Sequence, residues 1–422
     1  MYDAAFRTGP HSDLVERSEP WTYRYQPSGP DPRAAREYRL RLWGRCACSP
    51  DGATRELRLP VHTLHRARPP MGFIAAAALV LAEGAPGPAP ERLRIIEFAL
   101  LDGRMRTLFD DTREAGLALY REHGRSALSA VLDSQEYRPG ASCAGCRYLS
   151  VCPALRKAPG LLGVEGDRRP RRTWSVTNGR SYRICPARDH MRRLHLPTAD
   201  AVERDPTAER GRALHAYLAE QHSHRFPLPC TTEVPEQWVP DGFDLPEGER
   251  VLGRRLLRAH AVVCPLRCVR DGTDLRIEPR VVRYDCTADV VVLATPDLLY
   301  RDEGSWIWRE TKTSARDRRP SRSLFRRYPQ LALAALLLAR GDLGGEPTRS
   351  RIELEVLGPS GADLEIVDPF TAATRADAEQ NLRDLVTEWH ADDVYTPSPG
   401  PSCVRCEVAR WCPSAQSAEQ AA

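Results

Sequence analysis

The sequence predicts an α/β protein in which a complete domain is preceded by an abridged copy of its own second half. Three observations carry that expectation. Short runs rich in aliphatic, aromatic and β-branched residues alternate with Ala/Leu-rich and amphipathic helical stretches. One order of segments (strand, Ala/Leu helix, strand pair, amphipathic helix) occurs over residues 52–156 and again over 306–416. Both copies then end in Cys-x2-Cys-x5-Cys-Pro, as Cys143, Cys146, Cys152 and as Cys403, Cys406, Cys412.

In chain order, residues 1–35 are polar and rich in Pro and Gly, and are expected to be weakly ordered. Residues 36–160 are read as the degenerate half. EYRLRLWGRC and ATRELRLP flank the turn-type SPDG, an Ala-rich helix spans 73–83, RLRIIEFALL and RMRTLF form a strand pair, and a helix covers about 112–132 before the first Cys triad. Residues 161–172, rich in Gly and charge, are expected to be a linker. The complete domain is placed at 173–415, with 416–422 as a tail. It opens with the helical pieces SYRICPARDHMRRLHL and AERGRALHAYLAEQH, and strands run through 261–300. A helix at about 328–340, strands RIELEVLG and LEIVDPF, and a helix at about 372–390 complete it. The offset between copies barely drifts: Gly84 and Gly341 are 257 apart, Cys143 and Cys403 are 260 apart.

The chemistry is placed at TPDLLYRDEGSWIWRETKT, residues 295–313, which reads as a β-hairpin around DEGS. The hairpin brings Asp297 near Glu310 and Lys312, which are two apart and share one face of their strand. Two carboxylates and an ammonium on one face suit a hard divalent metal and a polarised water held against a phosphodiester. Of 61 basic residues only Lys157 and Lys312 are lysines. A compact ammonium therefore stands where the rest of the chain would write Arg, and the two are not interchangeable. In the first copy RELRL lies on RETKT: Glu56 is retained, Arg58 replaces Lys312, and Trp43 stands where the Asp is due. That copy is expected to bind or scaffold, not to cut.

The remaining composition bounds the setting. With 422 residues, 41% hydrophobic, mean hydropathy −0.48 and net charge +4, the chain reads as globular, and its charge permits nucleic-acid binding without requiring it. No apolar run reaches the roughly 18 residues of a membrane span, and no signal-type segment follows Met1, so a cytoplasmic protein without membrane contact is expected. Thirteen cysteines then point to metal or cluster ligation more than to disulfides. Cys403, Cys406 and Cys412 need a fourth ligand, and Cys185 is the natural candidate, giving a 4Fe–4S cluster or, as the alternative, zinc. Cys143, Cys146 and Cys152 could hold a second cluster or zinc, with Cys46 or Cys48 completing the set. Cys230, Cys264, Cys268 and Cys286 read as strand and loop cysteines, although Cys264 and Cys268, four apart, could be ligands.

Several of these stretches together resemble the PD-(D/E)xK nuclease superfamily, in its RecB/AddB-like and CRISPR-associated iron–sulfur exonuclease branch. SVTNGRSYRICPARDH resembles the helix with the first cluster cysteine, RGRALHAYL the helix with a catalytic His (His215), TPDLL and RETKT the metal-binding Asp and the E-x-K pair, RRYPQLALAALLL the Q-x3-Y helix (Gln330), and the last Cys motif the cluster triad. The resemblance covers about 173–415. It implies a restriction-endonuclease-like mixed sheet flanked by helices, with the cluster stapling the first segment to the tail. It further implies Mg²⁺ or Mn²⁺ held by His215, Asp297, Glu310 and the Thr311 carbonyl, and a catalytic set of His215, Asp297, Glu310, Lys312 and Gln330. Two features depart from the pattern or compete with it. Ala334 stands in place of the Tyr, and Asp289 in CTADVVV competes with Asp297, which is preferred for its hairpin spacing and for Pro296 before it.

The expected function is a metal-dependent DNA nuclease, an exonuclease of repair, recombination or phage defence acting on single strands or duplex ends. Arg316, Arg318, Arg319, Arg322, Arg326 and Arg327 could line a phosphate path, a solvated basic face being the alternative. No Walker-type motif is present, so a helicase or ATPase partner would be a separate chain. The competing reading is a catalytically inactive iron–sulfur protein that binds nucleic acid or scaffolds.

Overall fold

The computed structural model describes residues 2–6, 11–25, 37–61, 64, 69–132, 136–166, 169–196, 198, 205–223, 228–267, 274–316 and 324–415. The chain divides into two units, Met1–Glu136 and Tyr137–Ala422.

The first unit contains α1 (Tyr2–Phe6), β1 (Val15–Arg17), β2 (Thr22–Tyr25), β3 (Tyr38–Arg41), β4 (Arg45–Cys48), β5 (Thr54–Val61), α2 (Met71–Glu83), β6 (Arg92–Ala99), β7 (Met105–Thr112), α3 (Arg113–Leu119) and α4 (Arg125–Leu132). Its five-stranded sheet has the order β1-β4-β5-β6-β7, and β2 and β3 form a separate ribbon. Only β5 and β6 run parallel. A parallel pair needs a crossover, and α2 supplies it. Ile74, Val80 and Leu81 of α2 pack on Leu57, Leu93 and Ile95 of the two central strands. Thr112 caps α3 by accepting from Ala115 N–H at 3.2 Å. The expected weak order of residues 1–35 does not hold for the described part. Val15–Arg17 pairs with β4, β2 pairs with β3, and Trp21 is 1% exposed in the core. A strand pairing and one buried aromatic, hidden among Pro and Gly in the sequence, fasten the described part to the sheet.

The second unit contains β8 (Arg156–Lys157), β9 (Arg172–Ser175), α5 (Val176–Ile184), α6 (Pro186–Arg193), α7 (Pro206–His222), α8 (Glu247–Val263), β10 (Leu275–Ile277), β11 (Val281–Asp285), β12 (Val290–Ala294), β13 (Leu298–Asp302), β14 (Ser305–Thr313), α9 (Leu324–Arg327), α10 (Pro329–Ala339), β15 (Arg351–Gly358), β16 (Gly361–Val367) and α11 (Ala372–Ala391). One sheet has the order β10-β13-β14-β15-β16 and a second β8-β11-β12-β9. This is a mixed α/β architecture of mixed sheets flanked by helices, as the sequence leads one to expect.

Side-chain alternation along β14 sorts the two helical layers. Trp306 and Trp308 enter the main core with α10, α11 and Val176 of α5, whereas Ile307 enters a small cluster with Leu298 and Tyr300. On that opposite side α7 and α8 pack together and against Leu357 of β15. Helix α10 is apolar on every side and correspondingly buried from Leu331 to Leu338. Ala334 lies inside this core. Among the described residues no helix is long and apolar enough to cross a membrane.

The two five-stranded sheets share one strand arrangement. In each sheet an antiparallel hairpin (β4–β5, β13–β14) joins a parallel neighbour (β6, β15) through an apolar helix (α2, α10), and an antiparallel edge strand follows (β7, β16). The expected boundaries at 160 and 172 fall inside the second unit. Strands β8 and β9 pair with β11 and β12, and Leu161 and Leu162 between them are 1% exposed. The first Cys triad likewise packs with Leu149, Leu155, Val282 and Val291 of the second unit. Local composition hides this, because the apolar partners lie more than a hundred residues away.

Candidate functional site

β14 outruns its hairpin partner, since the β13 pairing ends at Leu298 opposite Arg309. The next backbone N–H, of Thr311, donates instead to Asp297 Oδ2 at 2.7 Å. This bond holds the Asp297 carboxylate beside the end of β14, where Glu310 and Lys312 project to one face. Lys312 Nζ lies 2.9 Å from Glu310 Oε2 and 3.4 Å from Asp297 Oδ2. From α7, His215 Nδ1 reaches to 3.4 Å from Asp297 Oδ1. Gln330, at the start of α10, lines the same open cleft of about 1060 Å³ as Asp297, Glu310 and Lys312.

The electrostatics are those of two crowded carboxylates. Burial, with the neighbouring Asp297 charge second, pushes Glu310 up to about 7 in spite of Lys312 and the Trp308 indole. The indole Nε1–H donates to Glu310 Oε1 at 3.1 Å. Burial alone would lower Lys312, but Glu310 and Asp297 outweigh it and hold the ammonium above its ordinary range. A pair of carboxylates short of positive charge, with a histidine at its edge, is a donor set that fits a hard divalent cation.

Asp289, the competitor for the aspartate role, sits instead in the β11–β12 turn, where Tyr284 O–H donates to it at 2.7 Å and Arg171 Nε at 2.5 Å. Arg318, Arg319 and Arg322 lie outside the described residues, and Arg326 and Arg327 lie on α9.

Sequence reasoning missed Trp308 as a partner of Glu310. It also missed Ser175, Thr177 and Arg180, which line the cleft from the first turns of α5. Nor did it reveal the support beneath the site. On the other face of β14, Arg309 donates to Glu353 at 2.8 Å and to Glu355 at 3.3 Å, and Thr311 Oγ1 donates to Glu355 at 3.0 Å. His260 Nδ1 lies 2.8 Å from Glu355. Burial pushes Glu355 up, yet His260 and Arg309 overcome it and hold the carboxyl below its ordinary range.

Cys185, Cys403, Cys406 and Cys412 line one apolar cavity. Backbone N–H groups donate to two of these sulfurs, Ser398 to Cys185 and Gly400 to Cys403, each at 3.4 Å. Glu407, between the triad cysteines, pairs with Arg188 and Arg192 of α6 and ties the two ends of the unit together. In the other triad, Gly140 N–H donates to Cys143 Sγ at 3.3 Å. Cys46 and Cys48, proposed to complete that triad, lie on β4 of the first unit, with Cys46 buried in its core. A further group was passed over as ordinary cysteines: His222, Cys230, His260 and Cys264 form a buried cluster able to hold a metal ion, their ligand atoms all within 4.8 Å of one another. The i, i+4 spacing of His260 and Cys264 was its one local signal.

A sequence-family model described as the PD-(D/E)XK nuclease superfamily matches residues 173–413. No curated protein matches significantly in sequence. A crystal structure of a protein called SSO0001 aligns at 14% identity and TM-score 0.30, over 60% of this chain and 90% of that one, a likeness too slight to bear on function.

Proposed function

Because the chain belongs to the PD-(D/E)XK nuclease superfamily, we propose that its second unit is a divalent-metal-dependent deoxyribonuclease, working as an exonuclease on single strands or duplex ends. The observation that carries this is the convergence of Asp297, Glu310 and Lys312, with Glu310 so crowded that it titrates near 7 without a cation. Asp297, Glu310, His215 and the Thr311 carbonyl would hold Mg²⁺ or Mn²⁺, which when bound supplies a Lewis acid to the phosphate and lowers the pKa of a water. Lys312, kept charged by both carboxylates, orients the attacking water and offers positive charge to the phosphate oxygens. Gln330 and Arg180, which both line the cleft, would bind the strand.

The four cysteines around the apolar cavity are proposed to hold a structural 4Fe–4S cluster. Four cysteines around one apolar cavity, two of them accepting backbone N–H bonds at their sulfurs, suit such a cluster. The first unit is proposed to be non-catalytic. Its Glu56 is fully buried among Arg58 at 2.6 Å, His11 at 2.7 Å and Arg94 at 3.1 Å, leaving no carboxylate free for a cation.

The test is degradation of end-labelled single- and double-stranded DNA with Mg²⁺ or Mn²⁺, by wild type and by Lys312→Ala. Metal-dependent cleavage by wild type alone is expected. Equal cleavage by both, or none by folded wild type, contradicts the reading.

A further inference from the structure

The cluster of His222, Cys230, His260 and Cys264 is drawn from three places in the chain. His222 ends α7, Cys230 lies in the segment beyond it, and His260 and Cys264 stand four apart at the end of α8. His222, His260 and Cys264 are 6%, 1% and 2% exposed. His222 Nε2 lies 3.4 Å from Cys230 Sγ and 3.8 Å from Cys264 Sγ, and Cys230 N–H donates to Cys264 Sγ at 3.4 Å. His260 is the telling member. Its Nδ1 is committed to Glu355 at 2.8 Å, while its Nε2 is buried with no hydrogen-bond partner. An orphaned buried polar atom is unfavourable, and a bound ion would satisfy it. A carboxylate on one ring nitrogen fixes the tautomer that turns the other nitrogen, as a lone pair, toward a metal.

We propose that these four residues bind one structural zinc ion, and that this zinc holds α7 and α8 in place over the catalytic strand. Two thiolates and two neutral imidazoles compensate a divalent charge, and a compact two-sulfur, two-nitrogen set selects tetrahedral zinc. Four protein ligands fill a tetrahedral shell and leave no open coordination position, so the ion builds structure and does no chemistry. Its reach extends into the site along two routes. Through His260, Glu355 is fixed where it accepts from Arg309 and Thr311 of β14, and Thr311 N–H in turn holds Asp297. Through His222, α7 is pinned two turns beyond His215, whose Nδ1 faces Asp297. The zinc-binding claim is independent of the nuclease reading, and metal content and coordination test it without any activity.

The experiment is zinc quantification by mass spectrometry on the full-length chain purified under reducing conditions, beside Cys264→Ser, His260→Gln and Cys403→Ser. One zinc per chain is expected in wild type and in Cys403→Ser, with loss in the other two. Zinc retained by folded Cys264→Ser, or wild type devoid of zinc with Cys230 and Cys264 freely alkylated or joined as a disulfide, overturns the proposal. X-ray absorption at the zinc edge of wild type covers the case in which a variant does not fold. Sulfur at about 2.3 Å together with imidazole nitrogen at about 2.0–2.1 Å is expected, and a shell without imidazole overturns the site. Chelation of the ion is expected to speed amide exchange in α7 and α8 while leaving the first unit unchanged, and unchanged exchange in those helices overturns the positioning role.

Discussion

Replacing Lys312 by arginine keeps the charge and removes only the shape, and the protein already contains that experiment. In the first unit Arg58, two residues after Glu56 as Lys312 is after Glu310, has a side chain 3% exposed, and its Nε donates to Glu56 at 2.6 Å. Lys312 is more open, 29% exposed, with Nζ at 2.9 Å and 3.4 Å from two carboxylates. A guanidinium there closes on Glu310 as a planar fork, competes with any cation for that carboxylate, and leaves no compact donor for the water. Loss of one preorganised charged donor costs about 10²–10³-fold in rate, or about 3–4 kcal/mol. Lys312→Arg is therefore expected to fall at least that far. Because the positive charge remains beside two carboxylates, stability changes by about 1 kcal/mol, a shift of about 2–4 °C in melting temperature for a unit of this size. The assay is initial cleavage rate at saturating Mg²⁺ on a labelled strand, with thermal unfolding alongside. Activity within about threefold of wild type refutes the assigned role, since a donor at this position is worth far more.

Other perturbations give equally definite outcomes. Glu310 titrates near 7 when folded against 4.5 ordinarily, so its contribution to the stability of metal-free protein is full below about 4.5 and is lost as pH rises through about 7. Protons and cation compete for that carboxylate, so Mn²⁺ affinity, read by calorimetry, should rise about tenfold per pH unit below 7 and level off above; affinity independent of pH over that range speaks against Glu310 as a ligand. Glu355→Ala takes one of two carboxylates from the buried Arg309 and removes the partners of Thr311 Oγ1 and His260, so a loss of about 1–3 kcal/mol in chemical denaturation is expected; no measurable loss would show that the network is loosely held. Anaerobically purified wild type should be brown and bind iron, Cys403→Ser colourless; a colourless wild type with zinc in the four-cysteine cavity overturns the cluster.

What the sequence made legible was local or repeated. Glu310 and Lys312 two apart on a strand, Asp297 one hairpin away, and the twice-written order of elements all depend on short-range geometry. The structure lines one cleft with Asp297, Glu310, Lys312 and Gln330, sets His215 3.4 Å from the far oxygen of Asp297, and gathers Cys185 with the last triad. What stayed hidden depended on distant packing. Trp21 is buried in the core from a stretch whose composition looks unstructured, and the first Cys triad belongs to the second unit, where it packs with Val282 and Val291. The His222 cluster was invisible for the same reason: each ligand alone looks like a packed side chain, and only the meeting of α7 with the end of α8 joins residues 42 apart.

The most direct test of the catalytic centre is the Mg²⁺ dependence of DNA cleavage by wild type and Asp297→Asn, measured side by side under single-turnover conditions. Asn retains an acceptor for Thr311 N–H and removes only the charge that would bind the cation. Saturable, Mg²⁺-dependent cleavage by wild type, with the variant slower by at least about 10² at every metal concentration, is the predicted result. Cleavage that needs no metal, or an Asp297→Asn variant as fast as wild type, contradicts the account.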